Sequence, residues 1–342
     1  MDRPFVALVL AGGTGTRLFP ASTPDRPKQL RSFGGEDSLL QRTVARARVA
    51  DEVYVLTRPD IADAVRDQVP GAAVLTEPEP KDTGPALVYA AARIREEVGE
   101  CVLACLPSDH HVAGDFGATL RRAGQVATET AGLVTVGVEP SRPATGYGYI
   151  EPGDPRDGYA SVARFVEKPD RETAAAYVER GWYWNAGLFC WTPTAFLESA
   201  RDSPMSALVR GVERGDPADA FAAVEAVSVD HAVLERADDV FVVPAGFEWD
   251  DLGDWDAVGR VGDRDADGNV RLGETVAIDA ADCVLATDGQ VGVVGVSDLV
   301  VASYGGRTLV VPRERSQEVR AVGRRLGEAD RDGEDCEDDE DG

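Results

Sequence analysis

The first 138 residues alternate short apolar runs with segments of helical spacing, and this alternation restricts the fold more than any other feature. Apolar runs of the length expected for buried strands lie at 5–10, 53–56, 72–75, 101–106 and 133–138. Between them, helical spacing occurs at 39–49, 61–69, 85–98 and 116–130. The pattern predicts an α/β fold with a mostly parallel sheet that is covered on both faces. Ligands bind such sheets at the carboxyl ends of the strands, so the loops after Leu10, Leu75 and Leu106 are the candidate site.

The pattern changes after Tyr147. Antiparallel strands are predicted at 149–151, 162–166 and 187–191, around helices at 171–180 and 193–200. From about Gly268 the chain has short β segments at 276–278, 283–286, 291–296, 299–303 and 308–311, followed by an amphipathic helix at 316–326. This spacing favours a small β domain of β-solenoid type. We therefore expect a catalytic domain over 1–262, a β domain over 263–326 and an acidic, disordered tail over 327–342.

Composition excludes several classes of protein. The net charge of −26 disfavours nucleic acid and anionic membrane surfaces as partners, and it suits work in concentrated salt, where the Debye length falls to about 3 Å at 1 M. The sequence has no apolar stretch of 18 residues and no N-terminal pattern of a signal peptide. The five cysteines have no metal-binding spacing, which favours a reducing cytoplasm.

The loop after the first strand is rich in glycine. Its sequence, LAGGTGTRL at residues 10–18, differs from both the dinucleotide-binding and the Walker patterns. Glycines let backbone N–H groups approach an anion closely. Arg17 and Lys28 add two cations, and Lys28 is one of only three lysines in the chain. Together these residues predict a site for a triphosphate.

Several segments together resemble the nucleotide-sugar pyrophosphorylases, and in particular their mannose-1-phosphate guanylyltransferase branch. The first loop and RPKQL (26–30) carry the general resemblance. The branch is indicated, in order along the chain, by EPEPKDTGPAL (77–87), LPSDHHV (106–112), TGYGYIE (145–151), FVEKP (165–169), WNAGLF (184–189), SVDHAVLE (228–235) and WDDLGDW (249–255). Two departures occur: Lys81 and Gly84 stand where the branch usually has arginine and alanine. The resemblance covers residues 5–312 and implies a Rossmann-like nucleotidyltransferase domain.

The resemblance also implies roles for individual residues. Arg17, Lys28 and Asp109 would be catalytic, and Asp109 and Asp251 would bind Mg²⁺, with Asp250 ranked lower. The nucleotide would contact Leu10, Ala11, Gly12, Gly13, Thr14, Gly15, Thr16, Glu77, Thr83, Pro85 and Ala86. The sugar phosphate would contact Gly148, Glu167, Lys168, Asn185 and Gly187. The sequence does not identify the residue that reads the base. It also leaves open whether Trp184 and Trp249 pack in the core or contact the sugar.

The reaction implied is transfer of a guanylyl group from GTP to mannose 1-phosphate. Two alternatives stay open: a related enzyme with another base or sugar, such as dTTP or UTP with glucose 1-phosphate, and a regulatory subunit that only binds a nucleotide sugar. The sequence leaves the oligomeric state open, a homo-oligomer included. It shows no serine or cysteine nucleophile with a matching base, so no covalent intermediate is required.

Overall fold

The computed structural model describes residues 3–13 and 15–326, without the side chain of Thr16. Thr14 and the acidic segment 327–342, for which the sequence predicts a nucleotide contact and a tail, lie outside the described residues. The strands are β1 Phe5–Leu10, β2 Glu52–Thr57, β3 Ala73–Thr76, β4 Val102–Pro107, β5 His111–Gly114, β6 Leu133–Val138, β7 Tyr149–Arg156, β8 Tyr159–Val166, β9 Tyr183–Trp191, β10 Val240–Pro244, β11 Phe247–Asp250, β12 Val270–Ile278, β13 Val284–Val294, β14 Leu299–Tyr304 and β15 Arg307–Pro312.

The α-helices are α1 Leu39–Ala47, α2 Ala62–Gln68, α3 Thr83–Val98, α4 Phe116–Thr130, α5 Arg171–Glu179, α6 Pro193–Arg201, α7 Ser206–Glu213, α8 Pro217–Ala222, α9 Trp255–Val261 and α10 at 319–326. A single π-helical turn in the described part of the chain covers Asp230–Leu234. None of the described helices is both long and apolar enough to cross a membrane.

The chain forms two compact units. The first takes its described residues from Met1–Gly12, Gln41–Ser108 and Val112–Trp249. The second takes them from Gly13–Leu40, Asp109–His111 and Asp250–Gly342. Each unit has its own hydrophobic core. Leu8, Leu103 and Trp191 are among the buried residues of the first core, and Leu18, Trp255 and Val300 are among those of the second.

The sheet of the first unit has the strand order β3-β2-β1-β4-β9-β6-β10-β8-β7. Strands β3, β2, β1 and β4 are mutually parallel, and β6 and β10 are parallel to each other. Strand β9 lies between β4 and β6 and is antiparallel to both. The first unit therefore has an α/β fold, as predicted, and β7, β8 and β9 form an antiparallel part of its sheet. Because β1, β3 and β4 end at one edge, the segments that follow them meet there.

The C-terminal β region, in the second unit, contains the sheet β12-β13-β14-β15. The register between β12 and β13 shifts between Leu272 and Glu274, so the chain bends while the parallel pairing continues. For this reason the segments 283–286 and 291–296, predicted as two strands, lie largely in one strand, β13. The final predicted helix was placed slightly too early, because Arg313–Glu318 forms a 3-10 turn before α10 begins.

Candidate active site

The glycine loop begins at the end of β1 with a fixed backbone. The N–H of Ala11 donates to the oxygen of Leu56 (2.8 Å), and the oxygen of Ala11 accepts from the Thr57 hydroxyl (3.1 Å). The oxygen of Leu10 accepts from the N–H of Ser108 (3.0 Å), directly after β4. The first residues of the loop are thus held by the two strands on either side of β1.

The rest of the loop packs on the segment that contains Lys28. Gly15 has a positive φ of 60°, and a Cβ there would lie 2.8 Å from Cγ of Lys28. The side-chain amide of Gln29 donates to the oxygen of Gly13 (2.9 Å). The predicted pairing of the glycine loop with RPKQL is therefore present as direct contacts. Arg17 is exposed and makes no side-chain hydrogen bond with the described residues, so its guanidinium is available to an anion.

Lys28 joins the two predicted metal ligands. Its ammonium group lies 2.9 Å from Oδ2 of Asp109 and donates to the backbone oxygen of Asp251 (2.9 Å) and of Leu252 (3.3 Å). The Lys28 side chain is only 9% exposed. Burial acts to raise the pKa of Asp109, but Lys28 and His110 outweigh it, and the pKa lies below its ordinary value. Asp109 is therefore an anion at neutral pH, beside a buried cation.

Asp109 stands in the turn after β4, within the predicted loop after Leu106. Strand β4 ends at Pro107, and Asp109 comes two residues later. This turn is where the chain enters the second unit for three residues, Asp109–His111, before β5 continues. The carboxylate is thereby brought to Lys28 and is 24% exposed, which leaves it accessible to a ligand.

The neighbouring aspartates 250 and 251 are used differently. Asp250 is 5% exposed and pairs with Arg260, whose Nη2 lies 2.9 Å from Oδ2. Burial raises the pKa of Asp250, and Arg260 offsets this only in part. Asp251 accepts the N–H of Gly253 through Oδ1 (2.9 Å). Asp250 is thus committed to an internal ion pair with Arg260.

The donor set at Asp109 and Asp251 fits a hard divalent cation. Mg²⁺ typically takes one or two carboxylates and completes its shell with phosphate oxygens and water. Among the described residues, no group of three or more His, Cys, Asp or Glu side chains is arranged to hold a metal. The two carboxylates would supply part of such a shell and leave positions for phosphate oxygens and water.

Glu77 is a buried carboxylate at the carboxyl end of β3. It is 5% exposed, and a Cβ added to Gly12 would lie 3.0 Å from its Oε1. Burial raises its pKa to about 7, Arg58 opposes this, and Asp60 and Asp82 reinforce it. Glycine at position 12 thus lets the loop approach this carboxylate.

The other residues predicted near the base lie in the first turn of α3. The Thr83 hydroxyl accepts the N–H of Val229 (2.9 Å). Pro85 and Ala86 are buried, and Ala86 belongs to the hydrophobic core. Gly84, where alanine is usual, is explained by packing: a Cβ there would lie 2.6 Å from the oxygen of Val227. This turn therefore fixes the segment 227–229.

The predicted sugar-phosphate residues cluster where β7, β8 and β9 meet. A Cβ on Gly148 would lie 2.5 Å from Oε2 of Glu167, and the oxygen of Gly148 accepts the N–H of Asn185 (2.8 Å). Lys168 pairs with Glu167 and is 61% exposed, so its ammonium can reach a ligand. The N–H of Gly187 donates to Oδ1 of Asn185 (3.0 Å). The structure brings all five residues together.

Two nearby features add to this cluster. Trp184 is 2% exposed and packs edge-to-face on Tyr147, so it belongs to the packed interior. Asp230, which the sequence reading did not single out, accepts a hydrogen bond from Nδ2 of Asn185 (2.8 Å). The signal for Asp230 was weak, because it lies 45 residues from Asn185 in a segment that otherwise reads as a short helix.

Comparison with known families places these residues in context. A family model described as Nucleotidyl transferase matches residues 6–267, and one described as MannoseP isomerase/GMP-like beta-helix domain matches residues 273–326. The chain is 35% identical to the mannose-1-phosphate guanylyltransferase of Escherichia coli, over 92% of this chain and 72% of the relative. It is also 35% identical to the xanthan biosynthesis protein XanB of Xanthomonas campestris pv. campestris (strain B100), with the same coverage.

Solved structures give the same result. A structure from Thermus thermophilus, described as mannose-1-phosphate geranyltransferase, is 35% identical and superimposes with a TM-score of 0.88. That similarity covers 94% of this chain and 99% of the other. The prediction of a nucleotidyltransferase fold with a C-terminal β domain is confirmed, and the chain belongs to the mannose-1-phosphate guanylyltransferase family of nucleotidyl transferases.

Proposed function

We propose that the chain transfers the guanylyl group of GTP to mannose 1-phosphate, giving GDP-mannose and pyrophosphate. Membership of the family makes it a nucleotidyltransferase. The observation that carries the choice of base is the buried Glu77 carboxylate beside Gly12 in the glycine loop. The choice of sugar is supported by the relatives and by the cluster around Glu167 and Asn185.

Glu77 is suited to read guanine. The Watson–Crick edge of guanine presents two adjacent donors, N1–H and N2–H, to which a carboxylate can bind with both oxygens. Uracil and thymine instead present one N–H between two carbonyl oxygens, and a carboxylate repels those oxygens. A buried carboxylate that lacks its partner is costly, so the wrong base loses affinity.

The reaction is a direct displacement in which an oxygen of mannose 1-phosphate attacks the α-phosphorus and pyrophosphate leaves. Catalysis of this kind consists mainly of positioning and charge neutralisation. The glycine loop with Arg17 would hold the triphosphate. Lys28 would keep Asp109 ionised and in place, and Lys168 would bind the phosphate of the sugar.

Asp109 and Asp251 would hold Mg²⁺, for which their carboxylates are suitable ligands. When bound, the ion would neutralise charge on the phosphate oxygens. The residues of the chain have separate tasks. Asp109 and Asp251 supply negative charge, and Lys28 fixes both segments through three contacts.

The setting of the reaction is also a proposal. The charge of −26 argues against nucleic acid or an anionic membrane as a partner, and the small anionic substrates would be held at a few cationic points. We propose a cytoplasmic enzyme that tolerates concentrated salt, with its catalytic domain within 1–262 and its β domain within 263–326. A homo-oligomer is compatible with this proposal.

The test is pyrophosphate release with Mg²⁺ over a panel of nucleoside triphosphates and sugar 1-phosphates, at low and high salt. We expect GTP with mannose 1-phosphate to be preferred. A clear preference for dTTP, UTP or glucose 1-phosphate would replace the assignment by a related nucleotidyltransferase. Binding of GDP-mannose without turnover would favour a regulatory subunit.

A second measurement tests the base-reading residue. We expect Glu77→Gln to lower kcat/KM for GTP by roughly 10- to 100-fold, because a charged hydrogen-bond partner is lost. ITP lacks the N2 amine, so the variant should discriminate less between GTP and ITP than the wild type does. Glu79→Gln is the matched control, since Glu79 lies in the same segment and is 51% exposed. An unchanged GTP-to-ITP ratio in Glu77→Gln would remove Glu77 from the base site.

A further inference from the structure

The backbone around Asp230 is held by the residue before it and by the buried residues after it. It opens the π-helical turn Asp230–Leu234, in which Ala232, Val233 and Leu234 are buried in the hydrophobic core. The preceding residue, Val229, donates its N–H to the Thr83 hydroxyl (2.9 Å). The turn is thus anchored at its start and along its apolar side, which leaves the Asp230 carboxylate in a defined position.

The orientation of the Asn185 amide is also defined. Its Oδ1 accepts from the Thr135 hydroxyl (3.2 Å) and from the N–H of Gly187 (3.0 Å). An amide oxygen with two donors leaves only the NH₂ end for an acceptor, and Nδ2 lies 2.8 Å from Oδ1 of Asp230. These hydrogen bonds orient the Asn185 amide so that its NH₂ group donates to one oxygen of Asp230, Oδ1.

The second oxygen of Asp230 is available. Within residues 3–13 and 15–326, Asn185 is the one other residue whose side chain hydrogen-bonds Asp230, and it contacts Oδ1. The carboxylate also accepts its own backbone N–H, but each of its oxygens has two lone pairs, so Oδ2 can accept a further donor. Asp230 is half-buried, so part of the residue remains exposed to a small molecule. Burial, and then the negative charge of Glu167, raise the pKa of Asp230 to about 6. The carboxylates of Asp230 and Glu167 therefore offer more hydrogen-bond acceptors than the Asn185 amide can satisfy.

A hexose supplies the missing donors, because each hydroxyl carries one O–H. We propose that Asp230 is a specificity-determining residue for the sugar, whose Oδ2 accepts a hydrogen bond from one ring hydroxyl of the hexose 1-phosphate while Asn185 holds Oδ1. Glu167 takes a second hydroxyl, and the exposed ammonium of Lys168 takes the phosphate. This inference rests on the proposed function and extends it to a residue outside the predicted site.

The test uses Asp230→Asn, which keeps the shape and can still accept from Asn185 through Oδ1. The substitution replaces the acceptor at Oδ2 by an NH₂ donor, so the effect falls on the sugar. We expect KM for mannose 1-phosphate to rise at least about tenfold, with KM for GTP changed less than about twofold. Asp219→Asn, an exposed carboxylate at the start of α8, is the control and should behave as the wild type.

A panel of 2-, 3-, 4- and 6-deoxymannose 1-phosphates identifies the hydroxyl and separates contact from structural support. The wild type should discriminate against one of these analogues, and Asp230→Asn should lose that discrimination and keep the others. Should Asp230→Asn not fold, Asp230→Ser removes the carboxylate and retains the core anchor, with the same expectation.

Unchanged KM for mannose 1-phosphate, or unchanged discrimination against every deoxy analogue, would overturn the role of Asp230. The wild-type assay comes first and tests the proposed function separately. If the wild type turns over no mannose 1-phosphate, both proposals fail. If it does and the variants match it, only this inference fails.

Discussion

Lys28→Met should destabilise the second unit strongly, because it leaves three groups without their partner. The ammonium binds Asp109 and two backbone oxygens, and its side chain is 9% exposed. Removing one member of a buried ion pair costs about 3–5 kcal/mol, since the remaining charge stays buried. Asp109 is 24% exposed and can regain some water, so we expect the lower end, about 3 kcal/mol.

Lys168→Met is the matched control. It removes the same ammonium from another ion pair, but Lys168 is 61% exposed, and exposed pairs contribute about 0–1 kcal/mol. Both variants should lose turnover, because Lys28 is proposed to hold Asp109 in place and Lys168 to bind the phosphate of the sugar. The free energy of unfolding, from urea titration followed by tryptophan fluorescence, should fall only in Lys28→Met.

Adding Asp109→Asn to Lys28→Met tests the cause of the loss. The double variant removes the uncompensated charge and should recover part of the lost stability. If Lys28→Met unfolds within about 1 kcal/mol of the wild type, the reasoning from buried charge is refuted.

Three further predictions concern residues of the site and its support. The raised pKa of Glu77 means that this carboxyl binds a proton more tightly in the folded state than in the unfolded state. The protonated carboxyl contributes fully to stability below about pH 4.5, and this contribution is lost by about pH 7. Relative to Glu77→Gln, we expect the free energy of unfolding in urea to fall by roughly 3 kcal/mol across that range. Guanine binding needs the ionised form, so kcat/KM for GTP should rise from pH 6 to 8 in the wild type and not in Glu77→Gln; a flat wild-type profile would contradict this. Asp251→Asn should abolish pyrophosphate release, whereas Asp250→Asn should retain most of it, because the Asp250 carboxylate is occupied by Arg260; equal losses of turnover in the two variants would contradict the division of roles. Gly84→Ala should cost roughly 1–3 kcal/mol in thermal unfolding despite the better helix propensity of alanine, and a gain in stability would show that the contact with Val227 relaxes.

The parallel half of the sheet could be predicted from the sequence because its signals are local. Strands β1 and β6 have the predicted bounds, and α4 does as well. Continuous apolar runs separated by helical spacing are typical of strands buried on both faces. The predicted bounds of the strands in the β region were less accurate, since the apolar pattern breaks at the polar residues 287–290 while β13 continues through them, beside a register shift in its pairing with β12.

The lysines show where local signals end. All three lie in motifs, which the sequence shows, but their surroundings differ. Lys28 is buried against Asp109, Lys81 donates to the last backbone oxygens of α8 at Phe221 and Ala222, and Lys168 is exposed. Lys81 therefore supports a helix end. The burial of each lysine and the identity of its hydrogen-bond partners depend on residues up to 224 positions away, so a local sequence pattern does not encode them.

By itself, the sequence determined the fold class and the family, because the alternation of apolar runs and short motifs with fixed spacing carry them, and it predicts a phosphate-binding loop. The tertiary structure alone decided that Asp250 is bound internally while Asp251 lies beside Lys28, that Gly12 abuts Glu77, and that Asp230 joins Asn185. The physical reason is that the charge state and accessibility of a carboxylate depend on its distance from other charges and from water. Only the folded chain sets those distances.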